Sequence, residues 1–338
     1  MPRKGGWKRL GSSGRFRYVD ARGNAISDED KLARIRALVI PPAWKEVWIS
    51  PSASAKLQAT GVDAAGRRQY LYHAAFRAQQ EQAKFDKLIR FAERLPELRA
   101  ATAEHMGHES LDRLRVSAIA TRLINAGWFR VGSERYAKES RTYGVTTLRK
   151  KHVRVRGKRV CFDFVAKHRT VVRTTLVDED LAEGVKDLLA LPRGTRLFRY
   201  ECETGVCSLT GARLNDYVRD YLGDEFTAKD FRTWGGTLIA AIAFAEHGPP
   251  ESEAAAKKVI PAVMRRVGKE LGNTPAVARS SYVSPAVIDQ YLDGRTIEDF
   301  RPRHLRIVRG RDVDLDQEEQ ALLSLLRSWK IRQARAAA

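Results

Sequence analysis

The sequence predicts an α+β fold in two parts: a small mixed α/β domain over residues 1–76, then a mainly helical domain over residues 77–338 with one three-stranded antiparallel sheet. Three observations predict it. A chain of 338 residues is too long for one ordinary compact domain. Residues 153–175 alternate between apolar and polar side chains, which is typical of strands. After Asp180, almost all apolar residues recur at helical spacing.

The first domain begins with turn-rich segments. Residues 14–19 and 23–26 predict a short hairpin. Residues 27–38 then predict a helix with Ser27 as its cap, because three acidic residues follow in the first turn and the apolar residues have helical spacing. A pair of prolines ends this helix shortly afterwards.

Two strand-like segments complete the first domain, over residues 44–49 and 68–72. A helix over residues 74–94 then leads into the second domain. The next segment, residues 111–126, has a clear amphipathic pattern and predicts another helix.

The second domain combines one sheet with many helices. The alternating segment turns near residues 157–158 and again near 166–169, which predicts three antiparallel strands. The helical pattern that follows predicts helices over residues 180–190, 210–222, 228–246, 252–271, 284–293 and 316–333.

The charge of the chain points to a polyanionic partner. Lys and Arg number 61 against 41 Asp and Glu, for a net charge of +20. Nucleic acid is the commonest partner of such a protein, although a generally basic proteome would give the same balance. Arginine is the more frequent cation, and its planar fork favours phosphate groups over a membrane surface.

Several classes of protein are not expected. No apolar run reaches about 18 residues, so no membrane-spanning helix is predicted. Residues 1–10 lack the apolar core of a signal peptide, which favours a cytoplasmic location. Cys161, Cys202 and Cys207 fit a reducing compartment without a disulfide framework, and two neighbouring cysteines are too few for zinc. We find no carboxylate cluster for Mg²⁺ and no phosphate-binding loop for ATP.

Several segments place basic residues beside a turn or a helix start. In chain order they cover residues 66–72, 129–136, 143–152, 164–168, 229–235 and 271–275, and Tyr282 follows nine residues after Asn273. Together, and in this order, they resemble the motifs of type IB DNA topoisomerases of the small poxvirus-like bacterial kind. The resemblance extends over nearly the whole chain.

The resemblance implies an enzyme that closes as a clamp around double-stranded DNA and relaxes supercoils. It would cut one strand through a 3′-phosphotyrosyl intermediate, allow strand rotation and then religate. No ATP or metal cofactor is implied, and the enzyme would act as a monomer. A cytoplasmic, nucleoid-associated location is the corresponding expectation.

The resemblance also assigns roles to residues. Tyr282 is the nucleophile, Arg130 and Arg232 hold the scissile phosphate, and Lys167 protonates the leaving oxygen. Further matches are Asn273, which donates to a non-bridging oxygen, Lys229, which assists near the phosphate, and the DNA-contacting residues Arg67, Arg68, Gln69, Tyr70, Tyr72 and Tyr136. Two departures affect the turn around the lysine: Ala166 stands where glycine is common, and His168 where some relatives have an acid.

The residue types suit this chemistry. A tyrosine hydroxyl has a pKa near ~10, and nearby cations favour its phenolate form. Preorganised arginines and an amide can stabilise the charge that develops on the phosphate oxygens. The departing oxygen is strongly basic, so a lysine with a lowered pKa can supply its proton.

Two other functions remain open at this point. A tyrosine recombinase shares this chemistry. Recombinases resemble one another in having His three residues before the second arginine, and this chain has Lys229 at that position. A non-catalytic architectural DNA-binding protein would explain the charge alone. Taken singly, each motif residue also has a structural explanation, such as a half-buried core position for Tyr282. Their common order favours catalysis.

Overall fold

The computed structural model describes residues 5–12, 15–301 and 313–337. The chain folds into two compact units, Met1–Lys84 and Phe85–Ala338, and it has the mixed α and β composition that the sequence predicts. Helix α2 (Ala74–Met106) runs from one unit into the other. The boundary at residue 76 stays a prediction, because this helix continues through it.

Besides the beginning of α2, the described part of the first unit contains one helix and a five-stranded antiparallel sheet. The helix is α1 (Glu29–Ala37), and the sheet has the order β2-β1-β3-β4-β5. The strands are β1 (Trp7–Leu10), β2 (Arg17–Val19), β3 (Lys45–Ile49), β4 (Leu57–Val62) and β5 (Arg68–Tyr72). Its small core is formed by Trp7, Ile35, Val47, Ile49 and Ala59.

Three predictions for the first unit need correction. The cap of α1 is Asp28 rather than Ser27, and its carboxylate accepts from the Lys31 backbone at 3.1 Å. The predicted hairpin is limited to a bridge between Val19 and Ala25, because β2 pairs mainly with β1. Part of that prediction, Gly14, lies outside the described residues. Strand β4 was not predicted, although Leu57 and Ala59 alternate with Gln58 and Thr60, because it contains few of the β-branched or aromatic residues typical of strands.

The second unit is mainly helical. After α2, its helices are α3 (Arg113–Gly127), α4 (Glu134–Glu139), α5 (Glu179–Ala190), α6 (Gly211–Leu222), α7 (Asp230–His247), α8 (Glu253–Leu271), α9 (Pro275–Ser281), α10 (Pro285–Leu292) and α11 (Gln317–Ala337). Residues 153–177, all described, contain the strands β6 (Val153–Arg156), β7 (Arg159–Val165) and β8 (Val171–Val177), which form an antiparallel sheet in that order.

Helix α7 forms the centre of the second unit. It is apolar around most of its circumference, as expected of a helix enclosed by others. Phe91 of α2 packs edge-on against Phe231 of α7, with ring centroids 5.1 Å apart. On another side, the indole nitrogen of Trp234 donates to Glu319 of α11 at 3.0 Å, and Arg99 of α2 forms an ion pair with that carboxylate at 2.8 Å. These contacts fix the helix that carries Arg232.

A small hairpin contradicts the cysteine prediction. Strands β9 (Arg199–Cys202) and β10 (Gly205–Ser208) pair antiparallel, and a disulfide joins Cys202 to Cys207. The expectation that the cysteines stay reduced was therefore wrong. The hairpin was missed because the region after Asp180 was taken as helical, and only the hairpin brings the two Cα atoms to 6.0 Å.

Within residues 5–12, 15–301 and 313–337, no helix is both long enough and apolar enough to cross a membrane.

Candidate active site

Arg232 lies in the first turn of α7 and is buried, with 5% of its surface exposed. Its Nη1 donates to the carbonyl oxygen of Trp128, and its Nη2 donates to that of Leu271 at 2.7 Å. Because these carbonyls end α3 and α8, one guanidinium joins three helices. Burial lowers the pKa of Arg232, yet an arginine keeps its charge near neutral pH. The site thus contains a fixed, desolvated positive charge.

A buried carboxylate holds the turn that begins α7. Asp230 accepts from the backbone N–H of Thr227 at 2.9 Å and from its hydroxyl at 3.2 Å. Lys87 of α2 forms an ion pair with the same carboxylate at 2.7 Å. Lys229, the cap residue of the helix, remains exposed. Asp230 therefore fixes the turn from which Lys229 and Arg232 project.

Arg130 follows α3 and faces the turn after α8. The chain leaves α3 through Trp128, which has a left-handed backbone with a φ of 49°. Arg130 Nη2 then donates to the carbonyl oxygen of Gly272 at 3.1 Å and to Asn273 Oδ1 at 2.6 Å. Burial, followed by the charge of Arg232, lowers the pKa of Arg130 to about 10. Arg130 therefore lies close enough to Arg232 for the charge of Arg232 to act on it.

The turn between α8 and α9 positions Asn273. Gly272 ends α8 with a φ of 59°, a left-handed conformation that glycine adopts without strain. The backbone N–H of Asn273 donates to the carbonyl oxygen of Gly268 at 2.7 Å. Thr274 then caps α9, accepting from the Val277 backbone at 3.3 Å. Sequence analysis missed this short helix, which ends one residue before the motif tyrosine.

Tyr282 rests on α7. Its carbonyl oxygen accepts from Thr237 Oγ1 at 3.1 Å. A Cβ atom at Gly236 would lie only 2.8 Å from that oxygen, so the close approach requires glycine. The Arg232 guanidinium lies 5.0 Å from the centroid of the tyrosine ring. One helix therefore positions both Tyr282 and Arg232.

The surroundings of Tyr282 favour its ionised form. Burial alone would raise the pKa of the Tyr282 hydroxyl. The charge of Arg232 and its hydrogen bond to the hydroxyl act in the opposite direction, and Arg130 and Lys229 add to them. The net effect is a lowered pKa, as required of a tyrosine that attacks phosphorus.

The structure brings together four of the predicted site residues: Arg130, Arg232, Asn273 and Tyr282. Lys229 contributes through its charge. Lys167 is separate: it is exposed in the turn between β7 and β8. Among the residues that the structure describes, no hydrogen bond or ion pair joins it to the other four.

The turn around Lys167 nevertheless borders the same cavity. A cavity of about 340 Å³ is lined by Arg130, Arg232 and Gly272 on one side and by Ala166 and Thr170 on the other. These last two residues flank the lysine turn, and the Ala166 N–H donates to the Thr170 carbonyl at 2.7 Å. His168 and the next residue have left-handed backbones. The turn is therefore defined, although Ala166 replaces the usual glycine.

The predicted DNA-contacting strand, β5, has two different faces. Tyr70 and Tyr72 are exposed at 51% and 43%, with nearly parallel rings 6.3 Å apart, and Arg68 shares their face. Gln69 points the other way and donates to Asp63 at 2.8 Å. Arg67 also pairs with Asp63, at 2.8 Å.

The remaining predicted DNA contact, Tyr136, lies in helix α4 of the second unit. Tyr136 is half-buried there, and its carbonyl accepts from the Ser140 backbone at 3.0 Å.

In the described ranges, no group of three or more His, Cys, Asp or Glu side chains could hold a metal ion.

Sequence analysis missed the residues that support the site. Lys87 and Thr237 belong to no motif, and Asp230 lies in the segment 229–235 but was given no role there; these residues hold the arginines and the tyrosine in place. The one available signal was the Gly235-Gly236 pair within an otherwise regular helical pattern, since interior glycines often mark a close approach.

Comparisons with known proteins agree with this geometry. Residues 73–299 match the family described as eukaryotic DNA topoisomerase I, catalytic core, and residues 15–63 match bacterial DNA topoisomerase IB, N-terminal domain. The DNA topoisomerase 1B of Acanthamoeba polyphaga mimivirus is 30% identical over 288 residues, which cover 83% of this chain and 85% of that protein.

More distant relatives are also named as DNA topoisomerases. The DNA topoisomerase 1B of Vaccinia virus (strain Copenhagen) is 22% identical over 80% of this chain and 85% of its own. The DNA topoisomerase 1 of Rabbit fibroma virus (strain Kasza) is 24% identical over 68% and 70%. These names do not favour the recombinase alternative. The chain therefore belongs to the family of type IB DNA topoisomerases, which are isomerases that act on DNA.

Proposed function

We propose that Tyr282, Arg130, Arg232 and Asn273 form the catalytic centre, with Lys167 as the general acid and Lys229 as an assisting cation. The observation that carries the proposal is the placement of the Arg232 guanidinium 5.0 Å from the centroid of the Tyr282 ring, where its charge favours the ionised hydroxyl. A tyrosine with a purely structural role does not require a nearby cation that favours its ionised form.

In the proposed reaction, the Tyr282 hydroxyl gives up its proton to solvent and its oxygen attacks phosphorus. A bond forms between that oxygen and phosphorus, and the bond from phosphorus to the 5′ oxygen breaks. Lys167 protonates the departing 5′ oxygen. The free 5′ end rotates about the intact strand, and the same steps in reverse restore the DNA and release Tyr282.

Arg130 and Arg232 would stabilise the phosphate oxygens in the transition state. Each terminal guanidinium nitrogen has two hydrogens, and the hydrogen bonds to backbone carbonyls described above leave donors for a substrate. Both groups are held by the protein before DNA binds, so little reorganisation is needed at the moment of reaction. Asn273 would add an amide donor once its carbonyl oxygen is held by Arg130.

Relaxation of a negatively supercoiled plasmid should proceed in EDTA without ATP. The phosphotyrosyl bond conserves the energy of the broken link, and the arginines supply the positive charge that a metal would otherwise provide. The measurement is gel electrophoresis of plasmid topoisomers over time, with and without added Mg²⁺ as the control. Activity that EDTA abolishes, and that Mg²⁺ restores, would contradict the proposal.

Lys167→Ala should slow strand cleavage by roughly 10²–10⁴-fold, the range for loss of a general acid. A substrate with a 5′-thio leaving group needs little protonation, so it should restore most of the rate. Single-turnover cleavage of the two substrates measures this. Arg169→Ala is the matched control, since it removes a cation from the same turn. Failure of the thio substrate to rescue cleavage would remove Lys167 from the role of acid.

For DNA recognition, we propose that Arg68, Tyr70 and Tyr72 face the duplex from the exposed side of β5. Arg67 and Gln69 would join them only by leaving Asp63. Tyr136 would contact DNA from the second unit. On the family resemblance, we further propose that domains 1–76 and 77–338 act as a clamp on double-stranded DNA, as a monomer, in the cytoplasm and in association with the nucleoid.

A further inference from the structure

A second cavity opens on the solvent side of the β6–β8 sheet. Its volume is about 780 Å³. Its lining contains a single carboxylate, Asp163, within the described part of the chain, against five cations: Arg141, Lys151, Arg154, Arg156 and Arg173. We call these five residues the basic sheet face. None of them belongs to the catalytic centre or to the predicted DNA contacts.

Strand register explains why these cations lie on the outside. Val160, Phe162 and Phe164 of β7 point into the core. The alternate positions point outward, so Arg154 of β6 lies in one row with Cys161 and with Thr175 of β8. Strand register therefore fixes the outward position of Arg154, Arg156 and Arg173, while Arg141 and Lys151 join this face from the segments before β6.

The cations of this face lack acidic partners. The Arg173 side chain contacts Asp163 at 3.4 Å, while the side chains of the other four make no ion pair or hydrogen bond with any residue in the described ranges. Other arginines of the second unit do have a carboxylate beside them. Examples are Arg115, Arg135, Arg196, Arg219, Arg266 and Arg327.

This surface also continues into the catalytic centre. The larger cavity and the one beside Arg130 and Arg232 share part of their lining, in particular Tyr143, Arg173 and Thr174. A polyanion that reaches the arginines of the site would therefore run directly onto the sheet. His152, also in the lining, has its pKa lowered by burial and by Lys151, so at neutral pH it adds no charge of its own.

We propose that the basic sheet face binds phosphate groups of the same DNA duplex whose scissile phosphate lies at Tyr282; this inference rests on the proposed function. Arginine forks bind phosphate oxygens, and the cavity lining carries five cations against one carboxylate. Contacts of this kind position the duplex and raise affinity without reading bases. The face therefore extends the grip on DNA beyond the reacting nucleotides.

Salt dependence of binding provides the test. Each phosphate neutralised by a cation contributes about 0.9 to the slope of log affinity against log salt concentration. In a Tyr282→Phe background, which cannot cut, Arg154→Ala with Arg156→Ala should reduce that slope by roughly 2. At 0.1 M salt, binding should weaken on the order of tens-fold. The matched control is Lys257→Ala with Lys258→Ala, two exposed cations of α8, which should leave the slope unchanged.

Cys161 provides an independent readout, because it is a free thiol in the middle of this face and the other two cysteines form a disulfide. Bound duplex should slow the alkylation of Cys161 by N-ethylmaleimide. The alkylation rate should fall as the fraction of protein bound to DNA rises. Equal alkylation rates with and without DNA, or an unchanged salt slope in the double variant, would overturn the inference.

Failure of this inference can be told apart from failure of the proposed function. Denaturant should trap a covalent protein–DNA complex from protein with Tyr282 intact, and Arg154→Ala with Arg156→Ala should form it equally at saturating DNA. Covalent complex with an unchanged salt slope rejects only the basic sheet face. Absence of covalent complex from the unaltered protein rejects the catalytic proposal on which it rests.

Discussion

Tyr282→Phe is expected to abolish strand cleavage and plasmid relaxation while DNA binding stays intact. The substitution removes only the oxygen that bonds to phosphorus. The ring still packs against Arg232, and the backbone carbonyl still accepts from Thr237. Removing a nucleophile that acts as a unit with its activating groups costs on the order of 10⁵-fold or more in rate.

Two assays measure this result: relaxation of supercoiled plasmid, and trapping of a covalent protein–DNA complex by denaturant. Tyr221→Phe is a suitable control, since that tyrosine packs against His105 and Tyr217 rather than in the site. Residual relaxation by the Tyr282→Phe variant would refute the assignment of the nucleophile. An architectural protein would show no relaxation even with Tyr282 present.

Arg232→Ala should lower the cleavage rate by at least about 10²–10³-fold, the usual cost of one lost transition-state donor. It should also change the dependence on pH. Without this cation, burial would dominate and the pKa of Tyr282 would rise, so less phenolate would exist at neutral pH. The deficit should therefore shrink as the pH increases.

The measurement is a pH–rate profile under single-turnover conditions for Arg232→Ala and Arg232→Lys. The lysine variant keeps the charge but loses the two-pronged donor, so its profile should shift less while its rate remains low. Because the Arg232 guanidinium also holds the ends of α3 and α8, thermal unfolding must accompany the kinetics. A parallel pH profile in the alanine variant would argue against an electrostatic effect on Tyr282.

Much of the second unit could be predicted from sequence, because its helices are long and strongly periodic. The helices predicted over residues 180–190, 210–222 and 252–271 differ from α5, α6 and α8 by one residue at most. Short elements were harder. Helix α9 has seven residues and depends on its cap and on packing rather than on an apolar stripe.

The residues that form the candidate site could be predicted from the sequence, but the residues that hold them in place could not. Motif order identified Arg130, Arg232, Asn273 and Tyr282, which the fold then brings together. Thr237 and Asp230 act through hydrogen bonds to backbone atoms distant in sequence or in the preceding turn, and such contacts leave no local pattern. For Gln69, strand alternation already implies a face opposite to that of Tyr70.

The seat of Tyr282 on α7 has a mechanical consequence. In the proposed reaction, the 3′ end stays bonded to this side chain while the cut strand rotates, and torque from the DNA would pull on it. The seven-residue α9 could not resist such a load alone. The bond from Thr237 and the close approach at Gly236 pass the force to the most deeply buried helix of the unit. Tyr282 and Arg232 would then move together, so the cut ends would find the same arrangement of side chains at religation.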